Sequence, residues 1–228
     1  MKKLLFLTIL FLLPIFSIHA QEIDLLWQGD TYTSPFYKGR ALWSNQSAIT
    51  LAAIPHGLGN PASLIYKWTR NGTVLGNISG VGKNALSFSD SIISRPQTFK
   101  VDILSNNEEV LATASISVVP ISPTLAVYEN NSLYGFMFHR EINGAHKLQD
   151  QEVTYTVFPF FFSVSSRTDN SINYEWRTNT GETEGTNSVT YRIPDNTSGT
   201  SQIQVRATSV NKILQDSNKS FLVEFGNQ

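Results

Sequence analysis

The sequence predicts an all-β protein made of two tandem antiparallel β-sandwich domains, and three observations carry that expectation. One strand pattern occurs twice, apolar residues alternate with a period of two, and the alternating runs are broken by Gly, Asn, Pro and Ser clusters. The repeated pattern is Leu64-Ile65-Tyr66-Lys67-Trp68-Thr69 followed by Asn71-Gly72, and Ile172-Asn173-Tyr174-Glu175-Trp176-Arg177 followed by Asn179-Thr180-Gly181. Successive side chains of a strand take opposite faces, so Tyr66 and Trp68 point one way and Lys67 the other; Tyr174 and Trp176 likewise oppose Glu175 and Arg177. One buried face and one wet face suit a central strand of a sandwich. Tyr66, Trp68, Tyr174 and Trp176 are therefore the expected structural core.

The N-terminus reads as a leader. Met1-Lys2-Lys3 precedes an apolar run from Leu4 to Ile18, and His19-Ala20 leads into polar Gln21-Glu22. A basic start and roughly 15 apolar residues fit a secretory signal peptide better than a span, which needs about 20. Residues 1–20 are assigned to it, with the mature chain starting at Gln21. Ile18 is bulky for a cleavage site, and an uncleaved anchor stays open as the alternative. The mature chain carries no membrane span, so the expected location is exported: cell surface, periplasm or extracellular medium.

Composition excludes some roles. The chain has no Cys, so each domain must stand on its own core without disulfides. Without Lys2 and Lys3 there are 15 basic residues against 18 acidic. A nucleic-acid partner calls for a basic excess or stripe, and neither is present.

The two halves can be aligned strand by strand. Ile49 to Pro55 matches Val153 to Pro159, each read as a strand stopped by its proline. Leu86-Ser87-Phe88 then matches Val189 to Ile193, Phe99 to Ile103 matches Ile203 to Ala207, and Ser115 to Val118 matches Phe221 to Phe225. The copies keep their strands and vary their connections, which is the mark of a duplicated domain. Val119-Pro120-Ile121-Ser122-Pro123 reads as a short, stiff connector. The domains are accordingly residues 21–120 and 121–228. Ahead of each core lies an aromatic lead-in: Leu26-Trp27 and Tyr32 to Gly39 in the first, Tyr128 and Leu133-Tyr134-Gly135-Phe136-Met137-Phe138 in the second. Each is expected to form a first edge strand crossing between sheets, its rings either closing the sandwich end or meeting a partner.

On these residues the chain resembles bacterial exported proteins built from tandem immunoglobulin-like domains of the PKD and fibronectin type III kind. The Tyr-x-Trp strands and the Phe99 to Ile103 strand are similar to those of a PKD domain. The aspartate-glycine turn usual after Tyr-x-Trp is replaced by Thr69-Arg70-Asn71-Gly72 and by Arg177-Thr178-Asn179. The lead-in Tyr32 to Gly39, with Ala53-Ile54-Pro55-His56, is also similar to small two-domain exported bacterial proteins. The resemblance covers nearly all of the mature chain and implies a fold rather than a reaction.

Chemistry-bearing patterns are sparse. Gly76 to Asn84 is glycine-rich, but Asn77 replaces the first glycine of a phosphate loop, and Asn84 stands where Ser or Thr must meet magnesium. It reads as an inter-strand loop. His139 and His146 flank Ile142-Asn143-Gly144 and would face each other across a hairpin, with Glu141 and Asp150 nearby, but two histidines without Cys make a poor zinc site. His56 reads as a loop-tip residue. Glu108-Glu109, Glu182 and Glu184 fall in turn-like segments, and no Gly-x-Ser-x-Gly elbow or Cys supplies a nucleophile. Asp169-Asn170 and Asp195-Asn196 offer hard oxygens to calcium without completing a calcium loop. The site expectation is no catalytic residue, no cofactor-binding residue, no metal ligand and no cofactor.

Phe158-Pro159-Phe160-Phe161-Phe162 has rings at four of five positions. Alternation buries every second ring, so both faces of this segment need cover, from the neighbouring domain, the core or a docked partner. Tyr134, Phe136, Phe138, Phe160, Phe161 and Phe162 are thus candidates for partner binding or for the contact between domains. The functional expectation is a non-enzymatic structural or adhesion-type protein of the bacterial cell envelope or surface, binding a protein partner. The alternatives are a carbohydrate-binding module, with Trp27, Tyr37, Trp43 or Phe138 stacking on a glycan, and an accessory component of a secretion or pilus assembly that completes a partner's sheet.

Overall fold

The computed structural model describes residues 21–226 apart from 91, 149, 180 and 182, with the backbone alone at 183 and 184. The expected leader at 1–20 and Glu182 lie outside the described residues. The first half contains β1 (Glu22–Asp30), β2 (Ala48–His56), β3 (Ile65–Arg70), β4 (Thr73–Val74), β5 (Gly80–Val81), β6 (Ala85–Ser89), β7 (Gln97–Leu104) and β8 (Val110–Val118). The second contains β9 (Thr124–Asn131), β10 (Gly135–Phe136), β11 (Gly144–Lys147), β12 (Glu152–Phe160), β13 (Ile172–Arg177), β14 (Thr183–Glu184), β15 (Ser188–Arg192), β16 (Gly199–Ser209) and β17 (Asp216–Phe225).

These strands make two sandwiches of the same plan. In the first, sheet β1-β2-β6 faces sheet β4-β3-β7-β8, with β5 also on β3; in the second, β10-β9-β12-β15 faces β11-β17-β16-β13-β14. Of the six long strands in each half, the first, second and fourth share one sheet and the third, fifth and sixth the other. That partition is the immunoglobulin-like one. Each half has its own core: Ile49, Leu51, Tyr66, Trp68, Phe99, Val101 and Ile103 in the first, and Val157, Phe162, Tyr174, Trp176, Val205 and Phe221 in the second.

The two Tyr-x-Trp strands are satisfied in the same way. Trp68 pairs across to Val101 and Trp176 to Val205, and both side chains are fully buried. A buried indole N–H needs an acceptor. Trp68 Nε1 donates to the Lys83 carbonyl at 2.7 Å and Trp176 Nε1 to the Thr186 carbonyl at 2.8 Å. Tyr66 and Tyr174 donate their hydroxyls backwards to the carbonyls of Pro61 and Arg167. The glycine-rich stretch Gly76 to Asn84 thereby has a structural task, since it carries the Lys83 carbonyl and the Ser79 hydroxyl that accepts the Trp68 backbone N–H.

Three expectations are corrected. The prolines do not stop their strands, because β2 runs through Pro55 to His56 and β12 through Pro159 to Phe160. Pro55 lies beyond the stretch of β2 that pairs with β6, and Pro159 beyond the stretch of β12 that pairs with β15. With a neighbour on one side only, a missing N–H leaves no ladder bond unmade. His139 and His146 do not face each other across a hairpin: His146 sits on β11, which joins the opposite sheet as a parallel clip on β17. The first lead-in is not one strand crossing between sheets: Leu26-Trp27 lies within β1, an edge strand of its sheet as expected, while Tyr32 to Gly39 forms no strand.

Trp68→Ala and Trp176→Ala are each expected to destabilise the sandwich concerned by about 3–5 kcal/mol, measured by chemical denaturation. An unchanged midpoint in both would remove the indoles from the role of core.

Candidate functional site

The aromatic residues converge on the joint between the two sandwiches. Tyr32, two residues past β1, exchanges backbone hydrogen bonds with the end of β12: its N–H donates to the Phe162 carbonyl at 2.7 Å, and the Phe161 N–H donates to the Tyr32 carbonyl at 2.8 Å. On the connector side, the Ile121 N–H donates to the Trp43 carbonyl and the Asn45 N–H to the Ile121 carbonyl, both at 3.0 Å. The connector is therefore stitched to the first sandwich rather than spanning open solvent.

Gln215 closes the third side. It is 1% exposed, its Oε1 accepts the Ser163 N–H at 2.9 Å, and its Nε2 donates to the Asn45 carbonyl at 2.8 Å and the Ser44 hydroxyl at 3.3 Å. One amide thus ties the second sandwich to the first while meeting its own requirement for partners in a dry place. Beside it, Lys212 donates to the Gln46 carbonyl and the Leu214 N–H donates to Gln46 Oε1, each at 2.8 Å. Burial holds the Lys212 ammonium below its usual pKa, opposed by Asp30.

The rings of the Phe158 to Phe162 segment divide among three environments. Phe158 faces outward from the β9-β12-β15 sheet and is covered by Tyr128, Phe136 and Phe138 at centroid distances of 5.2–5.5 Å. Phe160 and Phe161 meet Tyr37 of the first sandwich at 5.7 and 5.9 Å, and Phe36 meets Phe138 at 5.7 Å. Phe162 returns to the core. The reversal is made at Phe161, whose φ of 65° is left-handed. For a bulky residue that backbone costs about 1–3 kcal/mol, and it persists where the surroundings fix it. Here they are the Tyr32 carbonyl and the Tyr37 ring.

Arg167 clamps the cluster. Its guanidinium lies 4.8 Å from the Phe136 centroid and 5.2 Å from that of Phe158, and its charge acts on the Tyr32 hydroxyl. Burial raises the Tyr32 pKa and the Arg167 charge opposes that rise, so Tyr32 is a neutral phenol. Arg167 Nε is buried without a hydrogen-bond partner. Neither Arg167 nor Gln215 carries a sequence signal, since each is a lone polar residue in a loop. Of the six aromatic candidates, Phe136, Phe138, Phe160 and Phe161 meet in this cluster, Phe162 is core, and Tyr134 stands away from it at 77% exposure.

Of the rings proposed to stack on a glycan, Trp43, Tyr37 and Phe138 are engaged elsewhere, while Trp27 lines an open groove with Arg40. Trp43 is fully buried with its Nε1 on the Ser47 carbonyl, Trp27 packs against the first core beneath the Arg40 guanidinium, and Tyr37 and Phe138 belong to the joint. An open groove of about 570 Å³ does lie on the outer face of β1-β2-β6, with Leu26, Gln28, Thr50, Ala52 and Ser87 in its lining.

Of the titratable candidates, His146 and Asp150 line one cavity of about 210 Å³ with Glu129, Arg140 and Glu152, and the others are dispersed. His139 is exposed, and His56 pairs with Asp24 at 3.0 Å on the rim of the first sandwich. Asp169 accepts the Ser171 N–H and hydroxyl in a turn, which holds its carboxyl below the usual range, and Asp195 accepts from the Gln151 amide. Among the described residues no three His, Cys, Asp or Glu side chains gather as metal ligands. His146 is buried, with Nδ1 at 2.8 Å from the Tyr155 hydroxyl and Nε2 at 3.7 Å from Glu129. Burial lowers its pKa, helped by Arg140 and opposed by Glu129.

No family model matches the chain, and no curated protein matches it. Among solved structures, it is similar to the fibronectin(III)-like modules of Clostridium thermocellum CbhA, with 15% identity over 87% of this chain and 93% of that one and a TM-score of 0.28. It is similar also to murine CEACAM1b, with 13% identity over 89% of this chain and 99% of that one and a TM-score of 0.29. Superpositions that loose carry no argument, and the fold assignment rests on strand order.

Two outcomes follow from this geometry. Gln215→Ala strands the Ser163 N–H and the Asn45 carbonyl and is expected to lower stability by about 1–3 kcal/mol in urea titrations. For His146, the unfolded chain takes up its proton near pH 6.5 and the folded chain only at lower pH. Stability contributed by neutral His146 is therefore complete above pH 6.5 and falls as acid is added, by at most about 1.4 kcal/mol per pH unit. His146→Gln flattens that part of the unfolding profile between pH 7.5 and 5; a wild-type profile already flat there would refute the assignment.

Proposed function

We propose that this chain is an exported, non-catalytic structural or adhesion-type module of the bacterial cell envelope or surface that binds a protein partner. The observation that supports it best is the joint, where strained backbone, a buried amide and the contacts of Phe36 and Tyr37 with Phe138, Phe160 and Phe161 hold one sandwich against the other. A held angle between domains suits a protein that presents surfaces at a set spacing. The engagement of Trp43, Tyr37 and Phe138 in the core and the joint counts against the glycan-binding alternative, and Trp27 in the groove lining is the ring that remains for it. Among the described residues no helix is long and apolar enough to cross a membrane, so an uncleaved leader would be the route to anchoring.

The reading as an accessory to a secretion or pilus assembly has one observation in its favour. β6 is the outer strand of β1-β2-β6, it is Ala-Leu-Ser-Phe-Ser in sequence, and it lacks the charge or proline that blunts a sheet edge. Such an edge accepts an added strand.

Immobilised residues 21–228 are expected to retain an envelope protein from the native host in the presence of a panel of mono- and oligosaccharides. Release by a sugar, or turnover of ester, glycoside or phosphate substrates above the buffer rate, would overturn the proposal. Ala85→Lys with Ser87→Lys, both on exposed positions of β6, would abolish retention if the partner adds a strand there and leave it intact if the loops do the binding.

A further inference from the structure

The cavity of about 210 Å³ in the second sandwich lies away from the joint. Thr124 pairs with Phe160 beside the first sandwich, whereas Glu129, in the cavity lining, pairs with Tyr155 farther along the same two strands. Arg140, Lys147, Asp150 and Glu152 complete the charged lining. Three carboxylates and two cations thus border one small space, yet among the described residues neither Arg140 nor Lys147 forms an ion pair with any of the three. Elsewhere on this sandwich opposite charges do close on each other, as Arg206 does on Asp216 and Lys219 on Glu141. Around the cavity they are held apart.

A buried imidazole completes the arrangement. His146 is 4% exposed and lines the same cavity. Its Nδ1 meets the Tyr155 hydroxyl at 2.8 Å, while Nε2 stands 3.7 Å from Glu129 Oε2, too far for a hydrogen bond. The Tyr155 hydroxyl has no other acceptor, so it donates to Nδ1 and the ring proton is on Nε2. A buried N–H ordinarily has a partner, and this one lacks it. Arg140 and Glu129 are both near enough to act on the imidazole, the first lowering its pKa and the second raising it. Met137, Leu148 and Val153 give the lining an apolar part. At about 30 Å³ per water-sized group the space holds roughly seven of them, too few for a drug-sized or oligomeric ligand.

We propose that this cavity binds a small α-amino acid as its zwitterion, with the carboxylate against Arg140 and the His146 Nε2–H, the ammonium against Glu129, and a short side chain against Met137, Leu148 and Val153. The separation of Nε2 from the Glu129 carboxylate matches two head groups that share one carbon. A ligand carrying both charges satisfies both kinds of lining residue, whereas a simple anion or cation is repelled by one of them. Neither the joint nor β6 takes part, so this site stands or falls separately from the capture of an envelope protein.

The test is isothermal titration of residues 21–228 at pH 7.5 with glycine, alanine, serine and valine up to about 10 mM, beside acetate and methylamine, which carry one charge each. At least one amino acid is expected to bind with a Kd of about 1 mM or below, and acetate and methylamine about tenfold or more weakly. Arg140→Gln and Glu129→Gln each weaken that binding by about tenfold or more. Arg140 is exposed and its side chain makes no hydrogen bond, so Arg140→Gln keeps the wild-type melting temperature. In nitrogen-15 spectra of the wild type, the bound amino acid moves the His146 ring resonances and leaves those of His56 and His139 in place, which locates it without any substitution. Binding by none of the four amino acids, acetate or methylamine binding as tightly, or His146 resonances that stay in place overturns the inference.

Discussion

Burial of the indole on each Tyr-x-Trp strand, with its N–H satisfied by a backbone carbonyl, is the interaction on which the remaining architecture depends. The chain has no Cys to hold either half together. A buried donor without an acceptor would cost about as much as the ring's partial burial gains, so the acceptor's position is as constrained as the ring's. In the first sandwich this constraint shapes the whole stretch from Gly76 to Asn84, and in the second it fixes the approach to β15 at Thr186. Strand order, sheet pairing and the facing of the two sheets then follow from alternation around these rings.

The joint applies the same rule to polar atoms. Gln215 and the Tyr32 backbone connect segments far apart in sequence, and the donors of these two have acceptors at ordinary distance, whereas the buried Nε of Arg167 has none. Around them the aromatic cluster supplies the dry surroundings in which such bonds hold best. Phe161 adopts its left-handed backbone because both neighbours of the turn are committed, Phe160 to the first sandwich and Phe162 to the core. Arg167 then lies over two of the rings with its charge acting on Tyr32 across the boundary.

What was legible in the sequence was whatever follows from period-two alternation. The long strands, the matching halves, the buried Tyr-x-Trp pairs and the need of Phe158 to Phe162 for cover on both sides all come from that source. Pro55 and Pro159 were misread because the rule that proline ends a strand supposes neighbours on both sides, and each lies where its strand has one. His139 and His146 were misread because a Gly-containing turn between two short segments implies a hairpin, whereas β11 crosses to clip β17 in parallel. Gln215 and Arg167 were invisible for a different reason. Their partners lie in the other sandwich, and no local pattern marks a loop amide or guanidinium that is to be covered.

The order of synthesis bears on Phe36 and Tyr37. The last strand of the first sandwich ends at Val118, but the rings that these two meet lie at Phe138, Phe160 and Phe161, and the amide that seals the joint is at Gln215. At about 5–20 residues per second, a growing chain spends roughly 5–20 seconds between completing the first unit and receiving Gln215. For that interval an otherwise finished domain displays a bare aromatic loop. A chaperone that shields nascent chains, or a neighbouring polypeptide emerging at the same time, meets Tyr37 before Phe160 and Phe161 exist to pack on it, while Phe36 stays open to solvent even in the finished fold.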